Sequence, residues 1–146
     1  MTAQELWNRC RAEGLVPDCE YEAWAFGCDA DELARLVLEG KKTATASVYA
    51  VYEPEGEPLP VEGEFSVILD SGDQAVCVIR TTKVYVSPFD EVSAEHAYKE
   101  GEGDRSLAYW RKVHQEFFQE ELNGVGLNFS DDMQVVCEEF EVVYKT

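Results

Sequence analysis

The amino-acid sequence predicts an α+β domain built on a mostly antiparallel, curled sheet. Three observations predict it. The residue period switches from helical to alternating at Ala44, a tight-turn sequence DSGD joins two apolar strand-like runs, and a last strand follows Met133. Strands and helices do not alternate in the regular order of a doubly wound parallel sheet. With 146 residues, 45% of them hydrophobic, the chain is long enough for one core and short for two. It therefore reads as a single domain, 1–146, with residues 1–28 as a helical N-terminal extension packed on it.

Thr2 and Glu5 have capping-box spacing, and Leu6, Trp7 and Cys10 supply the buried face of a first helix that ends at Gly14. The stretch EYEAWAF, up to Gly27, reads as a short second helix. Asp29 and Glu32 repeat the capping-box spacing before DELARLVLE, whose Leu33, Leu36 and Val37 share a face until Gly40 stops the helix. In ATASVYAVY, Ala44, Ala46, Val48 and Ala50 alternate with Thr45, Ser47, Tyr49 and Val51, the period of a strand. EPEGEPLPVEGE is an acidic, turn-rich loop, and FSVILD and QAVCVIRTTKVYV read as a hairpin about DSGD. Beyond Pro88 come a helix at SAEHAYKE, a glycine loop EGEGD, a longer helix SLAYWRKVHQEFFQEEL and the last strand, MQVVCEEFEVVY.

The charge balance excludes whole classes of partner. Thirty acidic residues against twelve basic ones give a formal net charge of -18. Nonspecific binding to nucleic acid depends on neutralised phosphates, so duplex DNA and anionic membrane surfaces are not expected partners. Cys10, Cys19, Cys28, Cys77 and Cys137 form no metal knuckle. They read as reduced thiols of a cytoplasmic protein, and neither metal nor cofactor is expected. No apolar run reaches the roughly 20 residues of a membrane span, and MTAQELWNRCR lacks the apolar stretch of a signal peptide.

The stretch GKKTATAS places Lys41 and Lys42 beside Thr45, Ser47 and, further on, Tyr49. A lysine facing such a polar stripe can donate to a phosphate or carbonyl, and if desolvated can act as a base toward a threonine hydroxyl. The plainer account is that lysines suit a helix C-terminus and threonines suit a strand. In EGEGD, the glycines let Glu100, Glu102 or Asp104 turn inward against a lysine; equally, the loop can be a solvated turn capping the next helix through Asp104 or Ser106. His96 and His114 read as packing residues. Arg111 is placed to anchor the acidic loop or to reach a ligand, and Arg80, between apolar neighbours, to line a barrel wall.

These residues resemble the motif of the ASCH domain: a glycine, a lysine two on, a threonine three further and commonly an arginine two beyond. They stand here as Gly40, Lys42, Thr45 and Ser47. FDEVSAEHAYKEGEGDRSLAYWRKVHQEFF (residues 89–118) resembles the second signature of the larger ASCH proteins, and VVCEEFEVVY their last strand. The likeness spans roughly residues 20–144. It implies a PUA-like fold, a small β-barrel flanked by helices, with a cleft and RNA-related binding. Some small bacterial relatives remove the acyl group from N4-acetylcytidine with a lysine, a threonine and a glutamate, which fall on Lys42, Thr45 and Glu100 here. Another is a ribonuclease. Ser47 departs from the motif, so either Arg80 or Arg111 supplies the missing donor from another element or this branch uses a different ligand. Lys41, Ser47, Tyr49, Arg80 and Arg111 are thus the expected ligand-binding set.

Three functions follow. The first is a module binding an RNA-derived ligand: a nucleoside, a nucleotide or a single-stranded RNA element. The second is an amidohydrolase, with Thr45 as nucleophile, Lys42 as base and Glu100 handling the proton of the leaving amine. The third is a ribonuclease using Lys42 on the phosphate. The net charge of -18 favours a small ligand over a polymer.

Overall fold

The computed structural model describes residues 1–145. Its elements run α1 (Ala3–Ala12), β1 (Glu22–Ala25), α2 (Ala30–Leu38), β2 (Ala44–Val48), β3 (Phe65–Leu69), β4 (Ala75–Pro88), α3 (Ala94–Glu100), α4 (Leu107–Asn123) and β5 (Gln134–Lys145). The five strands form one curled sheet in the order β1-β3-β4-β5-β2, antiparallel except for the β1–β3 pair. The long strands β4 and β5 form its spine, and register shifts near Ile79 and Lys83 interrupt their ladder. Such extra residues bend a strand and increase its twist, which lets a five-stranded sheet curl into a half-barrel.

Local chemistry explains most of the elements. Thr2 accepts from the Glu5 amide while the Glu5 carboxylate accepts from the Thr2 amide, so the capping box of α1 is formed. Ser93 and Ser106 cap α3 and α4 by accepting from the amides of His96 and Tyr109. The β3–β4 hairpin turns at DSGD, where Asp70 accepts from the amides of Gly72 and Gln74.

Three expectations are corrected. EYEAWAF is not helical: Glu22–Ala25 is an edge strand paired in parallel with Ser66–Leu69, so residues 22–25 belong to the sheet and only residues 3–12 of the first 28 are α-helix. Asp29 makes no capping bond, because its backbone is left-handed (φ 46°), and Glu32 instead pairs with Arg35 one turn on. The alternation after Ala44 stops at Val48, where a 3-10 turn (Tyr49–Val51) swings Tyr49 outward to 46% exposure.

The core lies on both faces of the sheet. Leu6, Trp7 and Cys10 of α1 pack on Val67 and Val78, and Leu33, Leu36 and Val37 of α2 pack near Ile68, Ile79 and Phe140. Trp110, Phe118 and Leu122 of α4 close over Val48, Val135 and Cys137. The helices α2, α3 and α4 thereby stand around the end of the sheet where β2 begins.

Candidate functional site

Lys42 is held in place by the backbone before its side chain is considered. The amides of Lys41 and Lys42 both donate to the Leu36 carbonyl at the end of α2, at 3.0 and 3.1 Å. The Thr43 amide donates to the Lys99 carbonyl of α3 (2.7 Å), and the Thr43 carbonyl accepts from Phe140 of β5 (3.0 Å). Three elements thus fix the segment that leads into β2. On the other side, Gly101 ends α3 with φ 75° against the backbone of Lys41. An added Cβ there would lie 2.7 Å from the Lys41 carbonyl carbon, so only glycine allows the glutamate loop to approach.

That approach buries a charged cluster. Lys42 and Glu100 are each 1% exposed. The Lys42 ammonium donates to Glu100 Oε1 (3.2 Å), Glu102 Oε2 (3.1 Å) and the Glu100 carbonyl (3.4 Å), one acceptor for each of its three N–H groups. The Phe26 ring lies 5.2 Å from the same nitrogen. Burying an ammonium is tolerated only with such pairing, because desolvation costs several kcal/mol per ion.

Glu100 is surrounded by N–H groups. Its Oε2 accepts from His96 Nε2 (2.7 Å) and from Trp110 Nε1 (2.5 Å), and its Oε1 faces Lys42 and His114 Nε2 (3.4 Å). His114 Nδ1 donates to the Trp110 carbonyl (2.8 Å), so both ring nitrogens point at groups that only accept. The ring also stacks on Trp110 at 4.2 Å. Burial disfavours the charged imidazole, but the charge and hydrogen bond of Glu100 outweigh it and raise the His114 pKa. Burial would likewise raise the Glu100 carboxyl, yet Lys42 and His114 hold it well below the usual carboxylate range. Glu102 goes the other way: burial raises it, and Lys42 only partly compensates.

One ligand atom each from Glu100, Glu102 and His114 lies within 4.8 Å of the others, a spacing that could cage a cation. The Lys42 ammonium already serves as that cation, bridging both carboxylates.

The cluster opens into a cleft of ≈ 630 Å³. Lys42, Thr45, Glu100 and Glu102 line it together, Ser47 lies along the β2 wall, and Trp24, Phe26, Tyr52 and Phe117 add aromatic surface. Ser47 bonds the Tyr52 hydroxyl at 2.5 Å. Thr45 faces Glu138 across the β2–β5 ladder. Burial, with Glu64 and Glu22 nearby, raises the Glu138 carboxyl to about 7.

Four residues of the expected ligand set do not line this cleft. Lys41 is half exposed and pairs with Glu39. Tyr49 is turned out by the 3-10 segment. Arg80 pairs with Glu141 at 3.7 Å on the exposed side of β4. Arg111 donates to the Asp90 carbonyl rather than to the glutamate loop. The loop anchor is Arg105, which donates to the carbonyls of Tyr98 and Lys41 and stacks on the Tyr98 ring. Sequence reasoning also missed Trp110 and Glu138, and it gave His96 and His114 no role beyond packing. The i, i+4 spacing of His96 and Glu100 on one helix was the available signal for the first histidine.

Comparison with known proteins gives a family. The sequence model of the ASCH domain matches residues 22–144. A crystal structure of a protein from Enterococcus faecalis is 38% identical, with a TM-score of 0.88 over 96% of this chain and 86% of that one. An ASCH domain from Lactobacillus crispatus is 31% identical, with a TM-score of 0.89 over 97% and 93% of the two chains. An ASCH protein variant from Zymomonas mobilis, 14% identical, shares the fold at a TM-score of 0.54 over 89% and 73%. No curated protein matches the sequence.

Proposed function

The chain belongs to the ASCH-domain family, and from that premise we propose that its cleft binds an RNA-derived ligand of nucleoside size and without a phosphate. The carrying observation is the charge of the cleft wall. Lys42 is the only lysine or arginine along it among the described residues, and its three N–H groups already have acceptors. Beside Glu100 and Glu102, the cleft is lined by Glu22, Glu55, Glu57, Glu64, Glu121 and Glu138. A phosphate entering there meets carboxylates and no free cation, and neither Arg80 nor Arg111 lies where it could stand in for the motif arginine at Ser47. A neutral base escapes that repulsion and gains from the aromatic walls, on which unpaired bases stack. The volume of ≈ 630 Å³ lies within the usual range for small-molecule sites.

The test is calorimetric titration with cytidine, N4-acetylcytidine and cytidine monophosphate. The expected result is saturable nucleoside binding, with the monophosphate at least ~10-fold weaker, about 1.4 kcal/mol. Tighter binding of the monophosphate, or no nucleoside binding, would overturn the reading.

A second reading, hydrolysis of an N4-acylated cytidine, draws support from Thr45 lining the same cleft as Lys42 and Glu100. In it, Thr45 attacks the acyl carbon while Lys42, in its neutral form, takes the hydroxyl proton and passes it to the leaving amine; Glu100 holds Lys42 in position, and water then cleaves the Thr45 ester. Lys42→Ala and Thr45→Ala should each reduce turnover of N4-acetylcytidine by at least ~10²-fold. Lys42→Arg keeps the charge but cannot give up a proton near neutral pH. Full turnover in that variant removes the base role. A ribonuclease would need a grip on phosphate that this cleft lacks.

A further inference from the structure

We propose that Glu102, and not Glu100, is the carboxyl that meets the ligand, reading an N–H group such as the exocyclic amine of a cytosine-type base. The inference rests on the nucleoside reading and deepens it. Both glutamates touch Lys42, but their hydrogen-bonding capacities differ. Glu100 is 1% exposed, and its two oxygens face N–H groups from Lys42, His96, Trp110 and His114. Four such groups fill the roughly four lone-pair sites of a carboxylate. Nothing is left for a ligand, so Glu100 acts as a positioning residue, fixing where the Lys42 ammonium stands.

Glu102 has one partner. Its Oε2 accepts from Lys42 at 3.1 Å, and its Oε1 makes no hydrogen bond among the described residues. The side chain keeps 17% exposure and lines the cleft. It sits between Gly101 (φ 75°) and Gly103 (φ 59°), on a loop clamped at its far side by Arg105. The hydroxyl of Thr45, on the same cleft, also makes no hydrogen bond among the described residues. Glu102 and Thr45 therefore offer capacity to an incoming molecule where Glu100 does not. A carboxylate oxygen accepts and repels other acceptors, so an amine-bearing base fits and a carbonyl at the same place does not. Burial, with the Glu100 charge beside it, raises the Glu102 carboxyl against the pull of Lys42, and an N–H donated by a ligand would favour its charged form.

Cytidine and uridine are the probes, because they exchange an exocyclic amine for a carbonyl on one ring. Both are titrated into the wild-type protein, Glu102→Gln and Glu102→Asp, with the melting temperature of each variant recorded. Expected are a preference for cytidine of about tenfold or more in the wild type, its loss in Glu102→Gln, and its partial retention in Glu102→Asp, which keeps the carboxylate. Equal binding of the two nucleosides by wild type, or an unchanged preference in Glu102→Gln, overturns the Glu102 assignment while leaving the nucleoside cleft in place. Failure of the wild type to bind either nucleoside overturns both. If Glu102→Gln melts well below wild type, Glu102→Asp decides: loss of the preference with the carboxylate still present contradicts the proposal.

Discussion

Lys42 and Glu100 lie 58 positions apart in the chain, yet their side chains meet at 3.2 Å, each 1% exposed. A pair so placed is costly to break, because the surviving partner keeps its charge without compensation. Lys42→Met should cost on the order of 3–5 kcal/mol in denaturant unfolding. The double variant Lys42→Met/Glu100→Gln should recover part of that loss, since both charges are then gone. A cost below about 1 kcal/mol for the single change would mean that water reaches the pair freely.

Gly101 predicts a backbone effect on the same site. Its positive φ and its packing against Lys41 leave no room for a methyl group. Gly101→Ala should destabilise by more than about 1 kcal/mol. It should also weaken cytidine binding, because the loop carrying Glu102 has to move away from Lys42. Calorimetry on the folded variant reads the second effect, and unchanged affinity would show that the loop has slack.

A third prediction concerns pH. Glu138 holds its proton to about 7 in the fold, against an ordinary value of 4.5. Between those values the unfolded chain has released a proton that the folded chain keeps, so stability falls as pH rises through the window. His114, with its raised pKa, loses its contribution above 6.5, in the same direction. Glu100 acts at the acid end: its depressed carboxyl contributes stability above 4.5 that is lost as pH falls. The melting temperature should therefore be higher near pH 5.5 than at pH 8. Glu138→Gln should flatten that slope and stabilise the protein at pH 8 by on the order of 1–3 kcal/mol. A variant as pH-sensitive as wild type would place the titration elsewhere.

The net charge of -18 sets a fourth expectation. Fluorescence anisotropy with labelled duplex DNA and an RNA hairpin at physiological salt should show no submicromolar binding. Tight, salt-dependent binding would reveal a basic surface where Lys41, Arg80 and Arg111 stand scattered.

Legibility in the sequence followed locality. The box at Thr2 and Glu5 and the DSGD turn could be read because their hydrogen bonds close within a few residues. Glu22–Ala25 could not: four residues without alternation become a strand only because β3 offers an edge. Tyr49 continued an alternating pattern that a single 3-10 turn interrupts. Lys42, Thr45 and Glu100 came from resemblance to a family; their meeting depends on α2, α3, β2 and β5 arriving together, which no spacing encodes. Glu102 lay in view in EGEGD, but nothing in one dimension tells which of two glutamates, one residue apart, has oxygens already occupied.

The pairing of β2 has a consequence for synthesis. Ala44–Val48 is an edge strand whose one sheet partner among the described residues is β5, the last of their strands in sequence. On a ribosome adding ~5–20 residues per second, β2 emerges several seconds before the strand that completes it. Over that interval the apolar face of Ala44 and Val48 and the ammonium of Lys42 wait without their final surroundings. The nascent chain thus exposes an unpaired β2 edge beside its future binding site, and the wall that Glu138 gives the cleft forms only with β5. A ribosome stalled between α4 and β5 would hold a product whose hairpin and α4 are already made and whose cleft lacks its β5 wall.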